Sequence, residues 1–348
     1  VDVRPFGLHF FFAARLEMAL KPRVAAPVPA MKAVLVTGAN GFVGSALCPA
    51  LAARGYRVMG AVRSRAQIRD QARTIACGDI DGATDWCGHL QGIDVIVHLA
   101  ARTQVDGGDA ARCALRRINV DGAEHLARQA AAAGVQRFVF VSSIKVNGET
   151  THQHAFRADD TPAPQDAYAV SKRDAEQRLW DVAAGTGLEL VSIRPPLVYG
   201  PGVAGNFLRM LHLVDRGLPL PLARVNNLRS LVAIDNLVDF LVQCVHHPAA
   251  AGRTLMVSDG EDLSTPQLLR LIAAAMNRRP RLWPAPLSIL RVMARATGHG
   301  GTWQRLCGSL AVDIGASCYA LGWRPSVSVE DAVSRCVEWY LATGGARS

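Results

Sequence analysis

Short, fully apolar runs alternate with longer stretches of helical periodicity from Lys32 to about Ile193. Residues 33–36 read as a buried strand, and a helix follows through residues 45–54. Further strands are predicted at residues 57–62, 94–99, 137–141 and 188–193. The alanine-rich run over residues 119–133 is predicted as a helix, closed by Gly134 directly after its last periodic position. Another helix begins near Tyr168. Strands without polar alternation, separated by helices, indicate a parallel sheet covered on both faces. Residues 31–199 are therefore predicted to form a doubly wound α/β domain. Beyond Tyr199 the alternation breaks down and proline becomes frequent. Residues 200–348 are predicted to form mostly a smaller, interleaved α+β cap, with some segments returning to the first domain.

Composition narrows the class of protein. The chain has 348 residues, half of them hydrophobic and 19% charged. Those proportions suit a packed protein of about two domains and exclude disordered, collagenous and coiled-coil architectures. No apolar run reaches the ~18–20 residues that a membrane span needs. The net charge of +9 favours an anionic partner. Because the basic residues are dispersed along the chain, no nucleic acid is expected. The eight cysteines form no C-x-x-C pair, so neither a metal site nor a disulfide framework is expected, and the compartment is expected to be a reducing cytoplasm. The apolar run from Phe6 is broken early by Arg15 and Glu17, too soon for a good signal-peptide core. Residues 1–30 are expected to be a disordered or mispredicted extension, with Met31 as the working start.

The segment from Val34 to Ser45 places Gly38, Gly41 and Gly44 between a strand and a helix. Gly38 suits a sharp turn, Gly41 a close backbone approach to a pyrophosphate, and Gly44 tight helix–sheet packing. Asn40, Phe42 and Val43 complete the loop, and the helix N-terminus supplies free amides to phosphate. Three glycines also suit a purely structural turn, but the strand–turn–helix setting points to a Rossmann-type dinucleotide site. The ribose is read at the end of the second strand, where Val62 is followed by Arg63, with Arg65 nearby. An arginine there can pair with a 2′-phosphate, which favours NADPH over NADH. A solvated side chain, or one stacked on adenine, is the alternative. Asp79 and Ile80 can frame the adenine, and Leu99, Ala100 and Ala101 end the strand beneath the cofactor.

Tyr168 and Lys172 share one helical face through their i, i+4 spacing. A phenol is a poor acid–base catalyst at neutral pH unless a nearby ammonium stabilises its phenolate. Tyr-x-x-x-Lys alone is common by chance. Ser143, 25 residues earlier at a strand end, can present a hydroxyl beside the tyrosine and completes one constellation.

These pieces, with His98-Leu-Ala-Ala101, residues 194–202 (RPPLVYGPG) and Leu321-Gly-Trp-Arg-Pro325, occur in the order seen in extended short-chain dehydrogenases/reductases of the nucleotide-sugar epimerase and dehydratase type. The chain resembles that family over residues 32–342. The resemblance implies that Tyr168 is the acid/base, Lys172 its activator and ribose ligand, and Ser143 the substrate-polarising hydroxyl. It also implies cofactor contacts at Asn119 and Pro195, and NAD(H) or NADP(H) as cofactor. A UDP-sugar is the implied substrate, gripped at Asn206, Phe207 and Arg229. A homodimer through helices around 112–133 and 168–184 is expected.

Dehydratases of the family carry Asp-Glu after the catalytic hydroxyl residue, where this chain has Ile144 and Lys145, so dehydration is disfavoured. The loop Ser143–Glu149 resembles the bacterial group that includes UDP-N-acetylquinovosamine dehydrogenases. With Arg63, it makes a 4-keto reductase for lipopolysaccharide sugars the first expectation and a 4-epimerase the second. A catalytically silent nucleotide sensor on the same fold is the remaining alternative, against which the intact Ser143, Tyr168 and Lys172 set argues. Three other features take plainer readings. His246-His247 is expected to cap a helix end, residues 286–296 to pack into the cap, and Trp303, Trp323 and Trp339 to be core residues.

Overall fold

The computed structural model describes residues 32–64, 73–104, 108–298 and 300–344. The proposed extension before Met31, and Arg65, lie outside the described residues.

A seven-stranded sheet organises the chain. Its strands are β1 (Ala33–Thr37), β2 (Arg57–Val62), β3 (Arg73–Ala76), β4 (Val95–His98), β5 (Arg137–Val141), β6 (Glu189–Arg194) and β9 (Arg253–Met256), in the order β3-β2-β1-β4-β5-β6-β9. Every neighbouring pair is parallel. Burial on both faces explains why strands such as β1, AVLVT, are apolar almost throughout. Against one face lie α1 (Phe42–Ala53) and α6 (Ile234–His246), burying Leu47, Leu51, Leu237, Phe240 and Leu241. Against the other lie α3 (Gly122–Ala132) and α4 (Ala167–Thr186), burying Leu126, Ala127, Ala175 and Leu179. Gly134 has φ +80° and stops α3, as its sequence position predicts.

Two elements from beyond residue 199, α6 and β9, belong to this sheet and its cover. The remaining elements build a third core: α5 (Gly205–Asp215), α7 (Thr265–Ala275) and α11 (Val329–Ala342) around Phe207, Leu211, Ile272 and Tyr340. A small sheet, β10-β8-β7, joins β7 (Leu197–Tyr199), β8 (Arg229–Ala233) and β10 (Asp262–Leu263), the last antiparallel to β8.

Three differences from the sequence reading have physical causes. The helix predicted at 119–133 is α3 entered through a wide π-turn over Arg116–Asp121, which continues an earlier helix, α2 (Gly108–Leu115), that was not predicted. Such turns interrupt the regular ladder and are frequent near functional sites, and apolar periodicity does not signal them. Helix α8 (Leu287–Ala296) is anchored through Leu287, but Val292 and Met293 stand 65% and 57% exposed, so it is not packed along its length. Of the three tryptophans, Trp323 is buried and donates to Asp239 (2.8 Å), Trp339 packs on the third core, and Trp303 is half-buried. His247 does cap a turn, accepting from the Ala249 amide at 3.2 Å, while His246 meets the Tyr56 hydroxyl at 3.2 Å. Among the described residues, no helix is long and apolar enough to cross a membrane.

Candidate active site

The C-terminal ends of β1, β2, β3 and β4 open onto a cleft of about 380 Å³. Gly38, Asn40, Gly41, Arg63, Asp79, Ile80, Leu99, Ala100 and Ala101, all expected from the sequence, line it together. Cys77, Gly78, Arg102 and Ile118 line it as well and were not foreseen. They come from strand ends and from the π-turn, which carry no motif of their own.

The turn into α1 is built for close approach. A Cβ on Gly38 would meet the Ala100 amide at 3.0 Å, and φ there is +67°. Phe42, Val43 and Gly44 form the first turn of α1, which has no side-chain cap and no acidic residue. Its leading amides are free for an anion. A Cβ on Gly44 would lie 2.3 Å from the Gly38 carbonyl oxygen and 2.7 Å from Ala39 Cα. Gly44→Ala must therefore push α1 off the turn. The expected cost is about 1–3 kcal/mol of stability and a fall in dinucleotide affinity of roughly tenfold or more, read by calorimetric titration with NAD. Unchanged affinity would show that the tight contact does not shape the site. Nearby, the buried Arg102 Nε has no hydrogen-bond partner among the described residues, an unmet donor at the cleft wall. The uncapped helix, the glycine cradle and this donor fit a dinucleotide.

Arg63 has a partner that the sequence reading did not name. β2 and β3 are parallel neighbours, which brings their C-terminal ends side by side. The Arg63 Nε accordingly pairs with Asp79 Oδ1 at 3.0 Å, and Arg117 approaches the other Asp79 oxygen at 3.9 Å. The guanidinium expected to meet a 2′-phosphate has a carboxylate beside it.

β5 and α4 position the reactive groups. Lys172 is buried, and its Nζ donates to the Val141 carbonyl (2.9 Å) at the end of β5, 4.5 Å above the Phe140 ring centroid. That bond ties α4 to the strand end that leads into Ser143. The Ser143 hydroxyl accepts the Lys145 amide at 3.3 Å as cap of a short turn, Ile144–Val146. The Ile144 amide in turn donates to the Pro195 carbonyl at 3.0 Å, fixing the loop to the end of β6. Asn119, buried in the π-turn, bonds the Arg102 backbone in both directions (2.8 and 2.9 Å). Its amide also reaches Ser171 Oγ at 2.9 Å, and that hydroxyl donates to the Tyr168 carbonyl at 2.7 Å. Asn119 thereby joins the cleft wall to the helix that carries Tyr168.

Burial pushes the Tyr168 phenol up to about 12, and the Asp166 carboxylate adds to the rise. Burial pulls Lys172 down to about 8, with Glu176 opposing it. The lowering expected for Tyr168 is thus not produced by its surroundings in the chain alone, because desolvation disfavours the phenolate. His98, buried and bonded through Nδ1 to Thr37 Oγ1 (2.9 Å), is pulled down to about 3 by burial and stays neutral.

A second cavity of about 140 Å³ lies among α5, β8 and α7. Asn206 and Arg229 line it, as the sequence reading expected, together with Arg209 and Arg305, which that reading did not single out. Asn227 positions this wall: its side chain bonds Thr265, Leu306 and Gly308 at 2.8–3.2 Å. Phe207 is a correction. Its ring is fully buried and stacks on Tyr199 at 4.9 Å, so the side chain packs the core and offers no surface to a ligand.

The glycine turn at a parallel-sheet edge, with Ser143 and Lys172 at the end of β5 and Tyr168 one helical turn before Lys172, is the arrangement of an extended short-chain dehydrogenase/reductase. The chain belongs to the NAD dependent epimerase/dehydratase family, whose model matches residues 34–257. It is 40% identical over 315 residues to a UDP-glucose 4-epimerase of Vibrio cholerae, covering 89% of this chain and 96% of that one. Among solved structures, a Bacillus cereus UDP-glucuronic acid 4-epimerase in complex with NAD superposes with a TM-score of 0.73 at 21% identity, covering 89% of this chain and 99% of that one. MoeE5 in complex with UDP-glucuronic acid and NAD superposes with a TM-score of 0.72 at 25% identity over the same shares.

Proposed function

We propose that this enzyme is a 4-epimerase of a UDP-hexose or UDP-N-acetylhexosamine that retains NAD through its cycle. The observation that carries the reading is the 40% identity to the Vibrio cholerae UDP-glucose 4-epimerase along nearly the whole of both chains. The site supports it. Tyr168 holds and returns the proton of the sugar 4-hydroxyl, while Ser143 hydrogen-bonds the same oxygen. Lys172, held at the end of β5 by its bond to the Val141 carbonyl and one helical turn from Tyr168, supplies the cation that favours the phenolate. The bound nicotinamide supplies a hydride acceptor and donor. Arg209, Arg229 and Arg305 meet the diphosphate through charge-assisted bonds. Ile144 and Lys145 cannot act as the acid–base pair of a dehydratase.

The 4-keto reductase expected from the loop and from Arg63 is the weaker reading. Arg63 is paired with Asp79, a carboxylate that would repel a 2′-phosphate, and NAD is the cofactor named in the complexes of both structural relatives. Acid-denatured, freshly purified protein is expected to release near-stoichiometric NAD, identified by mass spectrometry. It should also interconvert UDP-glucose and UDP-galactose, or their N-acetyl counterparts, without added cofactor. An empty site that turns over a keto-sugar only with added NADPH would overturn the epimerase reading in favour of the reductase.

A further inference from the structure

The two positions at which dehydratases carry Asp-Glu are not equivalent here. Ile144 is buried, whereas Lys145 extends to a pair of carboxylates. Its Nζ lies 2.5 Å from Asp166 Oδ2 and 3.1 Å from Glu149 Oε1. The other oxygen of Asp166 accepts the Ala169 amide at 2.7 Å and so caps α4. Tyr168 stands in that first turn, two residues after the cap. Lys145 is therefore bonded to the group that starts the helix bearing the phenol.

We infer that Lys145 is a positioning residue for Tyr168: through its bond to Asp166 it fixes the first turn of α4 and cancels the carboxylate that acts on the phenol. The inference rests on the reading of Tyr168 as the acid/base. Charge supports the geometry. The Asp166 carboxylate acts on Tyr168 in the direction that hinders ionisation. Burial alone would lower Lys145, but its two carboxylates carry it above the ordinary lysine value. Burial alone would raise Asp166, but the Lys145 and Ala169 bonds hold it below the usual carboxylate range. The pair is thus ionised across the working pH range. Other charges on the elements packed here are Lys172 one turn along, Glu149 on the loop, and Arg229 on β8, which feels Glu149. Arg173 is committed to Asp174 and Glu176 to Arg194.

The test follows tyrosinate absorbance near 295 nm against pH in NAD-saturated protein, with the Tyr168→Phe curve subtracted, and in parallel the acidic limb of kcat. Lys145→Met should raise the Tyr168 ionisation by roughly one pH unit, because an unpaired carboxylate is left beside the phenol. Lys145→Arg should restore it. Asp166→Asn keeps an N-cap acceptor but removes the charge, and should shift the ionisation the opposite way. In the double variant the two shifts should offset and return the ionisation to near the parent value. Asp166→Asn carries the test should Lys145→Met fail to fold. An ionisation that stays in place in these variants, with turnover falling equally at every pH, would reduce Lys145 to a structural tether and overturn the inference. Absence of any Tyr168-dependent signal would remove the acid/base reading itself, a separate failure visible in the subtraction.

Discussion

Tyr168→Phe is expected to lower turnover by roughly 10²–10⁴-fold, the usual range for loss of a positioned proton-transfer group. Dinucleotide affinity should stay within a few-fold of the parent. The substitution removes one oxygen and leaves the ring, the Asp166 cap and the Lys172 bond to Val141 in place. Ser143 is held as a turn cap, and its hydroxyl is too weak an acid to replace the phenol. Steady-state epimerisation assays and calorimetric titration with NAD together check the result. Unchanged turnover would remove Tyr168 from the chemistry; a matching loss of NAD affinity would assign it to cofactor binding instead.

Arg194→Met should be the most destabilising of the substitutions considered. Arg194 and Glu176 are almost fully buried, with side-chain exposures of 6% and 5%, and meet through paired bonds of 2.5 and 2.9 Å. Arg194 also reaches Asn147 at 3.0 Å, and Ser192 donates to Glu176 at 3.1 Å. Removing the guanidinium leaves a carboxylate uncompensated in the interior, which costs about 3–5 kcal/mol. For a chain of this size the melting temperature should fall by roughly 4–7 °C. Glu176 lies one turn beyond Lys172 and acts on its charge, so the damage should extend to the site. A calorimetric melting curve checks the first effect, and its retention within a degree or two of the parent would show that the pair is dispensable. Arg194 belongs to the segment that resembles the family, yet only its pairing across β6 and α4 gives it this weight.

Much of the site was legible because its parts lie close together along the chain. The strand–glycine–helix turn is fixed by local backbone geometry, and Tyr168 and Lys172 share a helical face by spacing alone. The ends of parallel strands necessarily gather at one edge, which brought Asp79, Ile80 and Leu99 into the same cleft as Gly38. Phe207 was misread because an apolar residue in a binding motif and one in a core have the same sequence signature. Arg305 was missed because it reaches the second cavity from a helix about a hundred residues away from Asn206.

The sequence by itself determined five of the seven strands, the helices α1, α3 and α4 that cover them, and the residues able to carry the chemistry. Those follow from short-range patterns: apolar runs buried on both faces, glycines where a Cβ cannot fit, and one helical repeat. Tertiary structure alone decided the charge states and pairings. Arg63 meets Asp79 only because β2 and β3 lie side by side, and Lys145 meets Asp166 only because the loop after β5 folds against the start of α4. Electrostatic energy depends on distance and burial, and neither is written in the order of residues along a chain.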